Sequence, residues 1–361
     1  MSSRRIRCEF CDKPVRLRNL EHNHEYKCPQ CDNIIYRPGA SRFVVSLLAF
    51  STLVLLVWAL FSPLLNVYIL GEIKLSVYDT IIYYLQTDIY SGVFLSLTIL
   101  VVPVFMNILT LLISYSKELK LPFVFLKKMI GIYLFIKEWN MIEVYFVGLL
   151  ISMVKLYELA DIILLAGFWI NLVYVLLLYI NLMIFNPLDY ANIKTRKPIN
   201  KNMFFYVFLF LILSLIFVPP SNLLPIMPTY KYSVAYDNTI LDGIVAFWED
   251  GDIIIPVIIF FASICIPVLK IVGLFTMLIM AKFKVLLSYR KFATKYYIVT
   301  DKLGKYSLLD VYVVVFASAY IQFDDLVRIG IGVAVIPFSL VVIFTMVASK
   351  LFDTRTLWRE N

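Results

Sequence analysis

The chain has 361 residues, of which 61% are apolar, counting Tyr, and only 16% are charged. A soluble globular domain has roughly 45–50% apolar and about 25% charged residues, so this composition excludes a soluble enzyme, a disordered chain and a disulfide scaffold. It predicts a polytopic membrane protein. The formal net charge of +8 does not by itself indicate nucleic-acid binding, because in a membrane protein the placement of Lys and Arg carries the information.

The first predicted element is a cysteine-rich segment, residues 1–42. Its four cysteines follow the pattern C-x2-C-x16-C-x2-C: Cys8, Cys11, Cys28 and Cys31. This spacing is typical of a zinc site in which four thiolates close a tetrahedral shell, so we expect one structural zinc ion and no zinc chemistry on a substrate. The alternative, a redox dithiol, needs only one cysteine pair and usually a βαβ context. His22 and His24 are expected to be solvated loop residues, because the cysteines complete the shell.

Apolar segments of membrane-spanning length occupy most of the remaining chain. A run of about 20 residues crosses a hydrocarbon core about 30 Å thick. We place eight segments near 43–62, 91–115, 139–157, 162–186, 203–218, 252–281, 307–321 and 327–349. The predicted fold is therefore an all-α polytopic membrane protein of about eight transmembrane helices. Two long connecting segments, 63–90 and 219–251, are rich in Tyr, Thr and Val and are expected to contribute small β elements on the periplasmic side.

The distribution of Lys and Arg predicts which side of the membrane each loop faces. Nearly all of the 33 Lys and Arg residues lie in segments that share one side: 1–42, 116–138, 187–202, 282–306 and the residues after 349. The loops on the opposite side hold only Lys74, Lys231 and Arg328. This asymmetry fits the positive-inside rule, so both the amino-terminal and the carboxy-terminal segments are expected in the cytoplasm.

An internal repeat relates the two halves of the chain. The sequence W-N-M-I-E-V-Y at 139–145 opens a membrane segment, and Y-S-L-L-D-V-Y at 306–312 opens another, 167 residues later. Y-D-T-I at 78–81 and L-D-G-I at 241–244 each precede a segment with a proline in mid-run. Such repeats occur in transporters, where the substrate path often lies at or near the repeat interface. We therefore predict five parts: a zinc ribbon at 1–42, a first four-helix module at 43–186, a linker at 187–202, a second four-helix module at 203–349 and a cytoplasmic tail at 350–361.

Lys270 is the leading candidate for a functional group inside the membrane. Ionisable residues in such segments are costly and mark substrate or ion pathways by default. Lys270 lies about one turn after Pro267, which can free a backbone carbonyl and kink the helix. The alternative is a structural pair with a neighbouring polar side chain, and the sequence leaves both interpretations open. Its counterpart in the first module is Met106 or Asn107, so the charge is not duplicated.

Three other ionisable residues have structural explanations. Lys155 lies one turn before a glutamate and can snorkel outward to it, which favours a structural role. Glu143 and Asp310 recur at the same place in the two modules, a pattern consistent with a proton relay. However, Asn140-x-x-Glu143 and Ser307-x-x-Asp310 both have the pattern of a helix capping box. We favour capping, although one acid can serve both purposes.

Four features together resemble the paraquat-inducible protein A family over nearly the whole chain. They are the cysteine pattern, the duplicated modules, the W-N-M-I-E-V and Y-S-L-L-D-V openings, and P-P-S-N-L-L-P-I at 219–226. The resemblance implies zinc ribbons joined to tetraspanin-like membrane modules in the bacterial inner membrane. It also implies an MCE-domain partner that bridges the periplasm, through which phospholipid would move between the two membranes.

The resemblance further implies a polar network in the second module. The matching positions are Lys270, Ser307, Asp310, Ser318 and Gln322. Several relatives carry a second four-cysteine ribbon between the modules, whereas residues 187–202 contain no cysteine. A role that requires two packed ribbons is therefore not expected here.

The function expected from these features is that of an inner-membrane subunit of an intermembrane lipid-transport system. No phosphate-binding G-x-x-x-x-G-K-[ST] run, serine elbow or H-E-x-x-H motif is present, so no enzyme is expected. One alternative is a small-solute or proton-coupled secondary transporter, in which Lys270 would be the coupling charge. Another is a membrane scaffold linked to envelope stress that transports nothing.

Overall fold

The structure is a computed structural model, and the chain folds as two compact units. The residues described are 4–17, 25–37, 39–68, 72–157, 161–190, 201–226, 228–231, 234–236, 239–249, 251, 253, 256–257, 260–285, 287–320, 322–323 and 327–359. Unit 1 comprises Met1–Arg37, Lys194–Val314 and Phe323–Asn361, and unit 2 comprises Pro38–Ile193 and Val315–Gln322. The five-part division of the sequence stays a prediction.

The described chain is mostly helical. In the first half the helices are α1 (Arg42–Phe61), α2 (Val77–Thr87), α3 (Ile89–Leu95), α4 (Val102–Ser114), α5 (Phe123–Lys137), α6 (Ile142–Tyr157) and α7 (Ala166–Ile184). In the second half they are α8 (Met203–Leu223), α9 (Ile240–Glu249), α10 (Ile266–Phe283), α11 (Arg290–Leu303), α12 (Leu309–Tyr320) and α13 (Val335–Leu351).

Within the described ranges, five helices are long and apolar enough to cross a membrane. They are Arg42–Phe61, Ile89–Ser114, Ala166–Ile184, Met203–Leu223 and Ser263–Phe283. Helix α13 is apolar but has only 17 residues. The chain is thus a membrane protein, while the layout of eight spanning helices in two modules stays a prediction.

The boundaries of several predicted segments differ from the helices observed. Helix α8 continues to Leu223, five residues past the predicted end, through Pro219 and Pro220. The side chains of Ser221 and Asn222 both donate to the Val218 carbonyl oxygen at 2.8 Å, which adds hydrogen bonds to a turn that lacks two backbone N–H donors.

The amino-terminal segment contains two antiparallel hairpins, β1 (Arg4–Arg7) with β2 (Pro14–Leu17) and β3 (Tyr26–Lys27) with β4 (Ile34–Tyr36). The connections predicted to face the opposite side form two small antiparallel sheets, which include the strands that the sequence predicts in the long loops. The first sheet has the order β6-β5-β7 and consists of β5 (Leu65–Tyr68), β6 (Glu72–Leu75) and β7 (Asp161–Leu164). The second sheet has the order β10-β11-β8-β9 and consists of β8 (Thr229–Lys231), β9 (Val234–Tyr236), β10 (Gln322–Phe323) and β11 (Val327–Ile329). The segments predicted to enter the membrane at 162 and 327 therefore begin as strands. Their backbone groups pair with neighbouring strands before a helix starts at Ala166 or Val335.

The two halves repeat the same order of elements. In each half, a short π-helical stretch precedes a helix with proline in its first turn: Ser96–Val101 before Pro103, and Phe261–Cys265 before Pro267. In the first half, α3, the π-helical stretch and α4 form one continuous helix of 26 residues. Helices α5 and α11 lie in the predicted cytoplasmic segments 116–138 and 282–306, to which the sequence patterns assigned no helix.

Each unit has its own core beside these two helices. In unit 2, Tyr133 of α5 packs edge-on against Phe185, with ring centroids 5.0 Å apart. In unit 1, Tyr297 of α11 packs against Phe352 at 5.9 Å. The aromatic pair recurs because α5 and α11 occupy the same place in the repeated order, each next to the residue that ends the last long helix of its half.

Candidate functional site

The four cysteine side chains form a compact cluster in unit 1. All four sulfur atoms lie within 4.8 Å of one another, and the Sγ atoms of Cys8 and Cys31, and of Cys11 and Cys28, are 3.5 Å apart. Four sulfurs at about 2.3 Å from a tetrahedral Zn²⁺ have edges of about 3.8 Å. The four side chains are at most 6% exposed. The cluster is therefore compatible with a closed four-coordinate metal site.

Each Cys-x-x-Cys pair lies on the same kind of turn. The N–H of Asp12 donates to the carbonyl oxygen of Cys8 at 2.9 Å, and the N–H of Asp32 donates to that of Cys28 at 2.8 Å. Asp12 and Asp32 have φ angles of 60° and 64°, a left-handed conformation in which Asp is several-fold enriched. The repeated C-x-x-C-D pattern was therefore a signal for these turns already present in the sequence.

The electrostatics of the cluster favour a bound cation. Burial raises the pKa of Cys8 to about 12, although the N–H groups of Phe10 and Cys11 lower it in part. Burial also raises the pKa of Cys11. For Cys28 the effect of burial is outweighed by hydrogen bonds from the N–H groups of Cys31 and Gln30, so its pKa is lowered. Four neighbouring thiolates need positive charge beyond these N–H dipoles, and a divalent ion would supply it.

We call the described residues 4–17 and 25–37, which hold the four cysteines, the knuckle. The knuckle packs against residues 352–359. Phe10, Ile35 and Trp358 pack on the cysteine cluster. The hydroxyl of Thr354 donates to the carbonyl oxygen of Phe10 at 3.0 Å. Phe10 also reaches the core cluster formed by α8, α10, α11 and α13. Residues 352–359 lie within the predicted tail 350–361, and from here on 'the tail' means residues 352–359. The tail thus connects the knuckle to the helices of unit 1.

Helix α11 supports the same assembly through polar contacts. The indole N–H of Trp358 donates to Thr294 Oγ1 at 3.0 Å, and the guanidinium carbon of Arg290 lies 4.7 Å from the centre of the Trp358 ring. Lys295 forms an ion pair with Asp32 at 3.3 Å, and its hydrogen bond is the main cause that lowers the pKa of Asp32. His22 and His24 lie outside the described residues.

Lys270 is buried inside unit 1, with 2% of its surface exposed. Its ammonium group lies against Gly304, where an added Cβ would collide with Nζ. Gly304 opens the 3-10 stretch Gly304–Leu308, which also carries the buried Ser307. The structure therefore brings Lys270 beside the segment that contains Ser307. Sequence reasoning missed Gly304, because its role depends on contact between residues 34 positions apart.

Ser318 lies in the part of α12 that belongs to unit 2. Its hydroxyl is buried and hydrogen-bonded to the hydroxyl of Tyr84, which also donates to the carbonyl oxygen of Val315 at 2.7 Å. Lys270 and Ser307 belong to unit 1. Sequence reasoning also missed Tyr84, since no local pattern distinguishes it from the other tyrosines of α2.

The remaining predicted site residues are placed as follows. Glu143 lies in the first turn of α6, and Asn140 Oδ1 accepts a hydrogen bond from the N–H of Ile142 at 3.1 Å, so Asn140 contributes to the start of this helix. Lys155 lies in α6, Asp310 lies in α12 and Gln322 begins β10. The side chains of these last three residues are outside the described part of the chain.

The first half contains a buried network of neutral side chains. Thr52 of α1 donates to Asn107 Oδ1 at 3.1 Å, and Asn181 of α7 donates to the same oxygen at 3.3 Å. All three side chains are at most 2% exposed. Asn107 is one of the two positions that correspond to Lys270, so the first half holds an amide where the second holds a charge.

Comparison with known proteins identifies the relatives of the chain. The family model described as "Paraquat-inducible protein A" matches residues 44–190 and 206–361. "Intermembrane transport protein PqiA" of Escherichia coli strain K12 is 26% identical over 99% of this chain and 96% of its own length. No solved structure matches the chain.

Two further relatives carry related names. "Probable intermembrane transport protein" of Haemophilus influenzae is 24% identical over 98% of this chain and 95% of its own length. "Lipophilic envelope-spanning tunnel protein A" of Escherichia coli strain K12 is 25% identical over 98% of this chain and 90% of its own length. The similarity in each case spans both halves of the repeat.

Proposed function

The chain belongs to the paraquat-inducible protein A family, and on that premise we propose that it is the inner-membrane subunit of an intermembrane lipid-transport system. It passes phospholipid between the inner membrane and an MCE-domain partner that spans the periplasm. The observation that carries this proposal is the match over almost the whole chain to relatives named as intermembrane transport proteins. Those names support a transport role.

The surface of the candidate spans supports a lipid environment. In α8, only 22% of the most apolar window is buried inside the protein, and Phe205, Phe208 and Ile216 are exposed. Exposed side chains of this kind suit contact with acyl chains, because no polar group has to be desolvated. In the proposal, such faces guide lipid toward the partner.

Orientation and metal content complete the proposal. The excess of Lys and Arg in alternate loops supports a cytoplasmic location for the knuckle and the tail. One zinc ion, held by Cys8, Cys11, Cys28 and Cys31, has a structural role, because four thiolates leave no open position for a substrate. The knuckle thus stabilises the cytoplasmic end and takes no part in lipid chemistry.

A proton-coupled or small-solute transporter is the second candidate function, and the burial of Lys270 favours it. A charged group at this depth is costly unless it serves a pathway or a structural pair. In both candidates, the polar positions Lys270, Ser307, Asp310, Ser318 and Gln322 would line the route, with Glu143 and Lys155 in the first half. The two candidates differ in what moves and in whether a periplasmic partner is required.

Affinity purification of the full chain in mild detergent tests the first candidate. We expect an MCE-domain protein and phospholipid to co-purify, as measured by mass spectrometry, with a polytopic membrane protein of unrelated family as the control. Transfer of labelled phospholipid from reconstituted vesicles should then require both proteins. Absence of any MCE protein, together with solute uptake abolished by Lys270→Met and no lipid defect, would instead support the second candidate. A wild-type phenotype after substitution of every buried polar group would support the non-transporting scaffold.

A further inference from the structure

A shallow cavity of about 340 Å³ lies in unit 2, beside the turn that follows α4. Its lining includes Ser116, Lys117, Lys120, Phe123 and Tyr190. Helix α4 ends at Ser114 and α7 ends at Ile184. The lining residues therefore follow directly after two candidate spans, at the level where a membrane surface would meet the protein.

The charges around this cavity are positive. Lys117 and Lys120 are both exposed at its wall. Glu118, which lies between them in sequence, is engaged in an ion pair with Arg42. Asp189, next to Tyr190, accepts a hydrogen bond from the N–H of Gly39 at 3.1 Å. The two nearby acids thus have partners of their own, although Glu118 also interacts electrostatically with Lys117, and both lysines contribute to the lining of the cavity.

Two further donors point to an anionic ligand. Helix α5 begins at Phe123 after Pro122, and within the described chain no side chain caps it. The N–H groups of its first turn are therefore available to an anion, and they add the positive end of the helix dipole. Ser116 is 3% exposed, and its hydroxyl has no hydrogen-bond partner among the described residues.

The second half of the chain shows what a lysine at this position binds. Lys120 and Lys284 follow α4 and α10 at the same place in the repeat, and both have left-handed backbones, with φ of 47° and 56°. Lys284 Nζ donates to the carbonyl oxygens of Thr356 at 3.0 Å and Arg359 at 2.8 Å. In the second half, the tail supplies oxygen ligands to this lysine. In the first half, Lys120 lines the cavity.

We propose that this cavity binds a phosphate group at the membrane surface, carried by an anionic phospholipid head group or supplied as free phosphate. Two ammonium groups, a helix amino terminus and a hydroxyl donor are the groups that recognise phosphate oxygens. Phe123 and Leu126 add apolar surface on which the glycerol end of a lipid can rest. The site does not depend on the transport proposal, because its occupancy requires neither a partner nor movement of lipid.

Ligand binding to the full chain in a neutral detergent tests the proposal. The probes are dioctanoyl phosphatidylglycerol, dioctanoyl phosphatidylcholine and inorganic phosphate, each titrated by microscale thermophoresis. Lys117→Gln combined with Lys120→Gln removes both ammonium groups from the cavity wall. Lys127→Gln combined with Lys128→Gln is the matched control, because it removes the same charge from exposed positions of α5 that do not line the cavity.

We expect saturable binding of phosphatidylglycerol that weakens at least tenfold in the Lys117/Lys120 variant and less than twofold in the control. If inorganic phosphate binds as tightly as the lipid and with the same dependence on these lysines, the ligand is free phosphate. If the acyl chains add at least tenfold to affinity, it is the lipid. Equal binding by both double variants, or no saturable binding of either phosphate probe, would overturn the proposal. Unchanged circular dichroism of the variants shows that they are folded.

Discussion

The second half of the chain buries Lys270, whereas at one of the two corresponding positions the first half buries the amide of Asn107, which is hydrogen-bonded to Thr52 and Asn181. Both halves have a π-helical stretch before a proline and an aromatic pair beside the following helix. The backbone plan is thus repeated while the buried chemistry is not. We infer that the neutral network around Asn107 mainly supports the fold and that Lys270 has the pathway role.

The ends of the two halves differ in a similar way. In the second half, the knuckle and the tail pack together, and Lys284, which follows α10, binds tail carbonyl oxygens. In the first half, the corresponding turn borders the cavity lined by Lys117 and Lys120. One end is therefore closed by the chain itself, and the other is open to a ligand.

The largest effect is expected from removing two cysteine ligands of the knuckle in the second of these two regions. Cys28→Ser combined with Cys31→Ser should reduce zinc from about one ion per chain to nearly none, because two ligands cannot hold a structural site. The binding free energy of structural zinc is of the order of 10 kcal/mol in small domains, so the knuckle should unfold and expose the tail to protease. Elemental analysis and limited proteolysis measure the two results. Cys265→Ser is the control, and unchanged zinc in the double variant would contradict the assignment.

A smaller effect is expected from crowding Lys270. Gly304→Ala should destabilise the protein by about 1–3 kcal/mol, because the new methyl group collides with the lysine ammonium. Lys270→Met should relieve this cost, so a double-mutant cycle in unfolding measurements should show coupling of about 1 kcal/mol or more. Gly131→Ala in α5 is the matched control, since a Cβ there meets nothing within 4 Å. An equal loss of stability from Gly304→Ala and Gly131→Ala would show that the contact between Gly304 and Lys270 does not affect stability.

The neutral network of the first half should contribute to stability alone. Asn107→Ala removes the acceptor of two buried hydrogen bonds and should cost about 1–2 kcal/mol in thermal unfolding. Lipid transfer by the folded fraction should be unchanged, whereas Lys270→Met should abolish it with little loss of stability. If Asn107→Ala instead stopped transfer in a folded protein, the division of roles between the two halves would be wrong.

The smallest effects concern the helix starts that the two halves share. Ser76 and Asp79 form a reciprocal capping box at α2, and Thr239 and Asp242 form one at α9. Ser76→Ala should lower the free energy of unfolding by about 1 kcal/mol. Thr239→Ala should lower it less, because α9 exposes more of its apolar side chains than α2 does and so contributes less to the packed core.

Acid titration offers a second measurement on the α9 cap. Hydrogen bonds from the backbone and hydroxyl of Thr239 lower the pKa of Asp242. The cap therefore stabilises α9 above the ordinary carboxyl pKa and loses this effect as the pH falls through the lowered value. Thr239→Ala should reduce that acid-dependent part of the unfolding curve, because it removes the hydroxyl donor and leaves the backbone N–H of residue 239. Identical curves for the wild type and the variant would show that the box is not formed.

Local sequence patterns accounted for the features that depend on neighbouring residues. The cysteine spacing predicted the sulfur cluster, and the Tyr, Thr and Val content of 63–90 and 219–251 predicted strands there. Features made by distant residues left no such pattern. Trp358 reaches Thr294, and Lys270 meets Gly304, through contacts whose partners share no periodicity. Helices α5 and α11 were missed because their Lys and Arg residues led us to assign both segments to cytoplasmic loops.

The hydrogen bond between Thr354 and Phe10 joins residues 344 positions apart. A ribosome makes the knuckle long before the surface on which it rests. The metal can enter early, because all four sulfurs are present once residue 31 has emerged. Docking must wait until the last long helix and the tail have been inserted. Docking of the knuckle on the tail can therefore occur only after the whole membrane portion has been translated. A truncated product would have a folded knuckle that is not docked.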